Sequence, residues 1–180
     1  MPRFTAEIVL IVISLGLAPL PAAAQQMAPT PARGYFRTEA PDSYRPAGPL
    51  GFLGVTPLQQ GWFVDPDSIQ LDGGKAKVWL LTVYGQVRQV AEGDIRWTWS
   101  FLDIDCAGRS WETLKYDAYD STGKWLAGFT GPTPDTNSVV TPHDEALRAH
   151  VCDGTQPEGF QTVLDQTSAV AGITQAFADR

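Results

Sequence analysis

The sequence predicts an α+β fold: an antiparallel β-sheet with a C-terminal helix tied to one face by a disulfide, plus an extra C-terminal helix. Three observations predict it. Between residues 62 and 130, short runs of β-branched and aromatic residues alternate with Asp, Gly, Pro and Ser turn clusters. After Thr141 the apolar spacing becomes helical. The chain has two cysteines. Cys106 ends a strand-like run and Cys152 ends a helix-like one, so a bond between them clamps helix to sheet.

Residues 1–24 read as a secretory signal peptide. Arg3 supplies the positive n-region, Ile8 to Ala18 the short apolar core, and Pro19 and Pro21 the break. Ala22-Ala23-Ala24 offers small residues for cleavage before Gln25. The core is too short for a spanning helix, which needs about 20 apolar residues. The mature chain is therefore expected to be exported to the periplasm or the extracellular surface, with no stable membrane insertion. No cysteine lies near the cleavage point, so no lipid anchor is expected. An exported chain with an even number of cysteines oxidises them. The 106–152 spacing lacks the C-x-x-C of a redox pair and suits neither that nor a metal site.

Residues 25–60 are punctuated by Pro29, Pro31, Pro41, Pro46, Pro49 and Pro57 and read as an extended arm. It is either a linker or a strap over the domain or a partner. The sheet–helix domain is placed at 61–153. Trp62-Phe63-Val64 is a short strand, and Asp65-Pro66-Asp67-Ser68 has turn chemistry. Ser68 to Leu71 resumes a strand that Asp72-Gly73-Gly74 turns. Lys75 to Tyr84 is apolar on both parities, as in a central strand covered on both sides, and Val87 to Ala91 extends it. Ile95 to Cys106 alternates most clearly. Arg109 to Tyr119 returns, Asp120 to Gly123 turns, Lys124 to Thr130 is the next strand, and Ser138 to Val140 a last short edge. Thr141 caps a helix with Pro142 at its first position and acids in its first turn; Asp153-Gly154 ends it. Within the 154–180 extension, Phe160, Val163, Leu164, Val170, Ile173 and Phe177 space a second helix from Gly159 to Asp179.

The matching stretches Asp65-Pro66-Asp67-Ser68-Ile69, Val78-Trp79, Ile104-Asp105-Cys106 with Arg109, Tyr119-Asp120 with Gly123, and Val151-Cys152 resemble the bacterial surface-adhesin protein E family in order and spacing. The resemblance covers about half the chain. It implies an antiparallel sheet closed by a disulfide-tied helix. It also implies adhesion to host matrix proteins such as vitronectin and laminin from a lipid-anchored position. This chain departs from that pattern by lacking the lipid-carrying cysteine.

The formal charge of -7 and pI of about 4.7 argue against nucleic acid as a partner. No hydrolase elbow, P-loop or zinc-protease spacing occurs, and no enzyme activity, cofactor or metal is expected. His143 and His150 with Asp144 read as helix-surface residues rather than ligands. Asp103 and Asp105 share a strand face and read as solvated rather than catalytic. The strongest candidates for binding are aromatic. Strict alternation sends Trp97, Trp99 and Phe101 to the sheet face opposite Cys106, and Trp111 on the next strand is placed to join them. Such a stripe is costly to leave wet. The C-terminal helix or the arm, a second subunit, or a protein or glycan ligand would cover it, in that order of expectation. A bulge near Ser100 would reverse the phase. The expected function is a noncatalytic binding or envelope protein, adhesin-like through the aromatic face. A periplasmic structural or assembly factor acting as a homodimer is the alternative.

Overall fold

In the computed structural model the described residues are 35–36, 44, 46, 48–131, 137–138 and 141–178. The expected signal segment and most of the arm before Tyr44 lie outside them, as do Val139 and Val140. The strands are β1 (Tyr35–Phe36), β2 (Leu50–Val55), β3 (Gln60–Val64), β4 (Gln70–Asp72), β5 (Lys75–Val90), β6 (Gly93–Asp105), β7 (Ser110–Tyr119), β8 (Trp125–Thr130), β9 (Asn137–Ser138) and β10 (Gln161–Val163). The helices are α1 (Pro142–Asp153) and α2 (Gln166–Phe177), and a single 3-10 turn spans Pro66–Ser68.

All strand pairs are antiparallel, in the order β1-β8-β7-β6-β5-β3-β2-β10, with β4 beside β5 and β9 beside β7. The β5 run is central and is buried on both parities between Val78 and Tyr84, apart from half-buried Trp79. One face packs Val64, Ala76, Val78, Leu80, Leu102 and Ile104 against Leu147 and Val151 of α1. The other packs Leu50, Phe63, Leu81, Val83, Trp97 and Trp99 against Ala169 and Ile173 of α2. Beyond residue 83 the hairpin bends: Val83 pairs with Trp97 but the next pair is Arg88 with Ile95. Arg96 fills the bend by donating to the carbonyls of Tyr84 and Gly85, at 2.9 and 3.1 Å.

The two helices are started by different caps. Thr141 and Asp144 form a reciprocal capping box at α1, and Gly154 ends that helix in the left-handed region at φ 67°. Asp165 caps α2 by accepting from the Ser168 amide at 2.7 Å. Cys106 and Cys152 are bonded, which ties α1 to the end of β6.

Three expectations change. Leu50–Val55 is a paired strand rather than part of the arm, because Pro49 and Pro57 flank it and leave the intervening amides free to pair. The extra helix starts at Gln166, not Gly159. Its expected first turns contain β10, where Thr162 and Val163 pair with Gly51 and Leu50. Trp111 lies on the α1 face, not with the other tryptophans. The register of β7 against β6 jumps from Phe101↔Lys115 to Leu102↔Thr113, so Leu114 is an extra residue that inverts the parity of β7. The pairing of β6 with β5 is unbroken through Ser100, so the phase of Trp97 and Trp99 is not reversed.

Candidate functional site

The α2 face carries an aromatic belt built by three strands. Trp79 of β5, Trp97, Trp99 and Phe101 of β6, and Tyr119 of β7 have the same parity relation to α2, since Trp79 pairs with Phe101 and Trp97 with Tyr119. Trp79 meets Phe101 at 5.0 Å and Trp99 edge-on at 6.4 Å. Trp97 stacks on Tyr119 at 5.8 Å. Lys115 sets its ammonium 5.4 Å from the Trp79 ring centroid, a cation–π distance.

The belt is covered from within the chain. Trp97 and Trp99 are 7% and 1% exposed, and Gln166 of α2 accepts the Trp99 indole N–H at 2.7 Å. Two glycines bring α2 down onto the sheet. A Cβ on Gly61 would lie 2.4 Å from Ile173, and one on Gly85 2.5 Å from Phe177. With α2 seated, Trp97 and Trp99 offer no broad surface to a partner, while Phe101 stays half-buried.

The arm contributes as well. The Tyr44 ring stacks on Trp79 at 4.2 Å and meets Trp99 edge-on at 5.1 Å. Its hydroxyl donates to Asp65. Burial, and then the Asp65 carboxylate, push the Tyr44 hydroxyl above the ordinary phenol range. Near α2's first turn the cover is incomplete. A cavity of about 360 Å³ lies between Tyr44, Pro46, Trp97, Tyr119, Asp165 and Gln166. A second, of about 430 Å³, lies between Trp97, Ser121, Thr122, Val170, Ala171 and Thr174. Trp97, Gln166 and Thr167 line both.

The remaining candidates are dispersed. Asp105 accepts from the Ala107 and Gly108 amides and so serves its turn. Asp103 lies 3.8 Å from the Lys75 ammonium. His150 stacks on Phe160 and its Nδ1 sits 3.1 Å from the Thr155 carbonyl oxygen, while Asp144 is held in the capping box. Among the described residues no group of three or more His, Cys, Asp or Glu is arranged to hold a metal ion. Trp111, like Cys106 and Cys152, packs against the core on the α1 face. Over α1, Arg148 bridges Glu145 and Asp153, both at 2.8 Å, and Arg109 reaches Glu145 at 2.7 Å. Hydrogen bonding from Arg148 is the main reason the Glu145 carboxyl titrates below its usual range. The sequence reading overlooked Tyr44 and Asp65 as partners. Asp65 reads in the sequence as a turn former, and no motif marks Tyr44 within the proline-rich arm.

The family match runs from the approach to β3 through the end of α1. The family model described as Surface-adhesin protein E matches residues 56–153. Comparison with curated proteins finds no match. Among solved structures the chain is similar to protein E from non-typeable Haemophilus influenzae, at 16% identity and a TM-score of 0.34, covering 79% of this chain and 98% of that one. Among the described residues no helix is long and apolar enough to cross a membrane.

Proposed function

The chain belongs to the surface-adhesin protein E family, and we propose that it is an exported, noncatalytic binding protein that engages a protein ligand in the manner of an adhesin. The family match across the sheet and α1 is the observation that carries this reading. The signal-like segment at 1–24 supports export. The dispersed acids and histidines support binding rather than catalysis. Because Trp97 and Trp99 are buried, contact falls to the rim of the two cavities beside α2, where Ser121, Thr122 and Thr174 border the Trp97 edge. Aromatic side chains are enriched where proteins contact one another.

The test has two arms. Cell fractionation is expected to place the protein on the outer surface; confinement to the periplasm removes the adhesive role. The purified mature chain is expected to bind immobilised vitronectin or laminin saturably, with albumin as control. Ser121→Arg with Thr174→Arg is expected to weaken that binding about tenfold, since long charged side chains then occupy the rim. Unchanged binding by the double variant removes the rim as the contact surface.

A further inference from the structure

We propose that Asp65, Trp79 and Trp99 form a recognition socket for a tyrosine on a proline-bearing segment, and that Tyr44 is its occupant supplied by the chain itself. The inference does not rest on the adhesive reading.

The socket is built from rigid parts. The Asp65 amide donates to the Trp79 carbonyl at 3.1 Å. The Ser68 hydroxyl donates to the Asp65 carbonyl at 2.8 Å and accepts from the Trp79 amide at 2.9 Å. These bonds fix the backbones that carry the carboxylate and the indole relative to each other. The Asp65 side chain is nearly fully buried, at 1% residue exposure, and its second oxygen accepts from the Asp67 amide at 3.0 Å. A buried carboxylate oxygen without a donor is costly, so the socket favours a ring that carries a hydroxyl. Trp79 gives that ring a stacking face and Trp99 an edge contact.

The flanking residues narrow the ligand further. Pro46 lines the cavity of about 360 Å³ that continues from Tyr44 along Trp97 and Tyr119. At Gly48 the chain passes so close to the 3-10 turn that a Cβ would sit 2.7 Å from an Asp67 carboxylate oxygen. The contacts therefore point to a Tyr-x-Pro ligand, with a small residue favoured at the position of Gly48. Proline fixes its own φ and lowers the ordering cost of docking. The same chemistry in a separate peptide meets the same socket once Tyr44 leaves it.

The experiment titrates a synthetic peptide of residues 40–49 into the full mature chain carrying Tyr44→Ala, followed by calorimetry. Saturable binding is expected, with affinity at least about tenfold above that for wild type, whose socket is already filled. A peptide with Phe at position 44 is expected to bind about tenfold more weakly than the tyrosine peptide. If Tyr44→Ala loses its cooperative unfolding transition, Tyr44→Phe replaces it, because it keeps the ring and removes only the hydroxyl. It should then bind the tyrosine peptide measurably more tightly than wild type does. No binding to a folded variant, equal binding of the two peptides, or equal affinity of Tyr44→Phe and wild type overturns the proposal.

Discussion

At Leu114 the pairing of β7 against β6 slips by one residue, so Trp111 lies on the α1 face while Asp117 and Tyr119 lie on the α2 face. The alternation of Trp97, Trp99 and Phe101 against Leu102 and Ile104 was legible because both parities of β6 are marked by apolar residues. The slip was not, because Trp111, Thr113, Lys115 and Asp117 share one parity and nothing in their chemistry says where it changes sides. Burial makes Trp99 a packing residue: Trp99→Ser is expected to lower the unfolding free energy by about 3–5 kcal/mol in urea titration. A loss within a few tenths of a kcal/mol would mean that the indole faces solvent. Tyr44 adds an alkaline signature. Its folded pKa lies above the unfolded value of about 10. Its contribution to stability is thus complete below about pH 10 and lost as pH rises through the folded pKa. Tyr44→Phe should flatten that part of the decline in a thermal-melt series; an unchanged slope would detach Tyr44 from it.

Among the elements, α1 was the most legible, since Thr141, Pro142 and Asp144 write its start locally and Gly154 writes its end. The first turns expected of the second helix were less so. Val163 fits a helical spacing and a strand equally, and only the distant Leu50–Phe52 segment decides between them. Two changes separate the roles of the helices. Replacing both Cys106 and Cys152 by Ser opens a loop with a sequence separation of 46. The loss expected from chain entropy is about 4 kcal/mol, read as a lower urea midpoint. Gly61→Val instead drives a side chain into Ile173. It should cost about 1–3 kcal/mol and shift tryptophan emission to the red as α2 lifts from Trp97 and Trp99. Unshifted emission would mean that α2 is not what keeps water from the indoles.

For the molecule as a whole, the sheet–helix order from Trp62 to Cys152 was readable because each turn cluster and each strand is local. Pairing of β2 with β10 joins segments far apart in sequence and leaves no local mark. The charge distribution predicts the acid limit. Hydrogen bonds from Thr122, Arg148 and Ser168 lower the carboxyl pKa values of Asp120, Glu145 and Asp165. Each group therefore adds stability that is present above its unfolded pKa of about 4 and is lost as pH falls through the folded value. Melting temperature should be level near neutrality and decline below about pH 4–5; a flat profile to pH 3 would contradict these contacts.

Sheet order also sets a timetable for a chain delivered in one direction. Every strand that frames the tryptophans, and the cysteine that closes the clamp, precede the segment that roofs the indoles. During synthesis or translocation, one side of the slab can be finished and oxidised while the other remains bare and adhesive to chaperones or to other nascent chains. A stop after Asp153 should freeze that stage, giving material with its thiols oxidised that still lights up a dye for apolar surface.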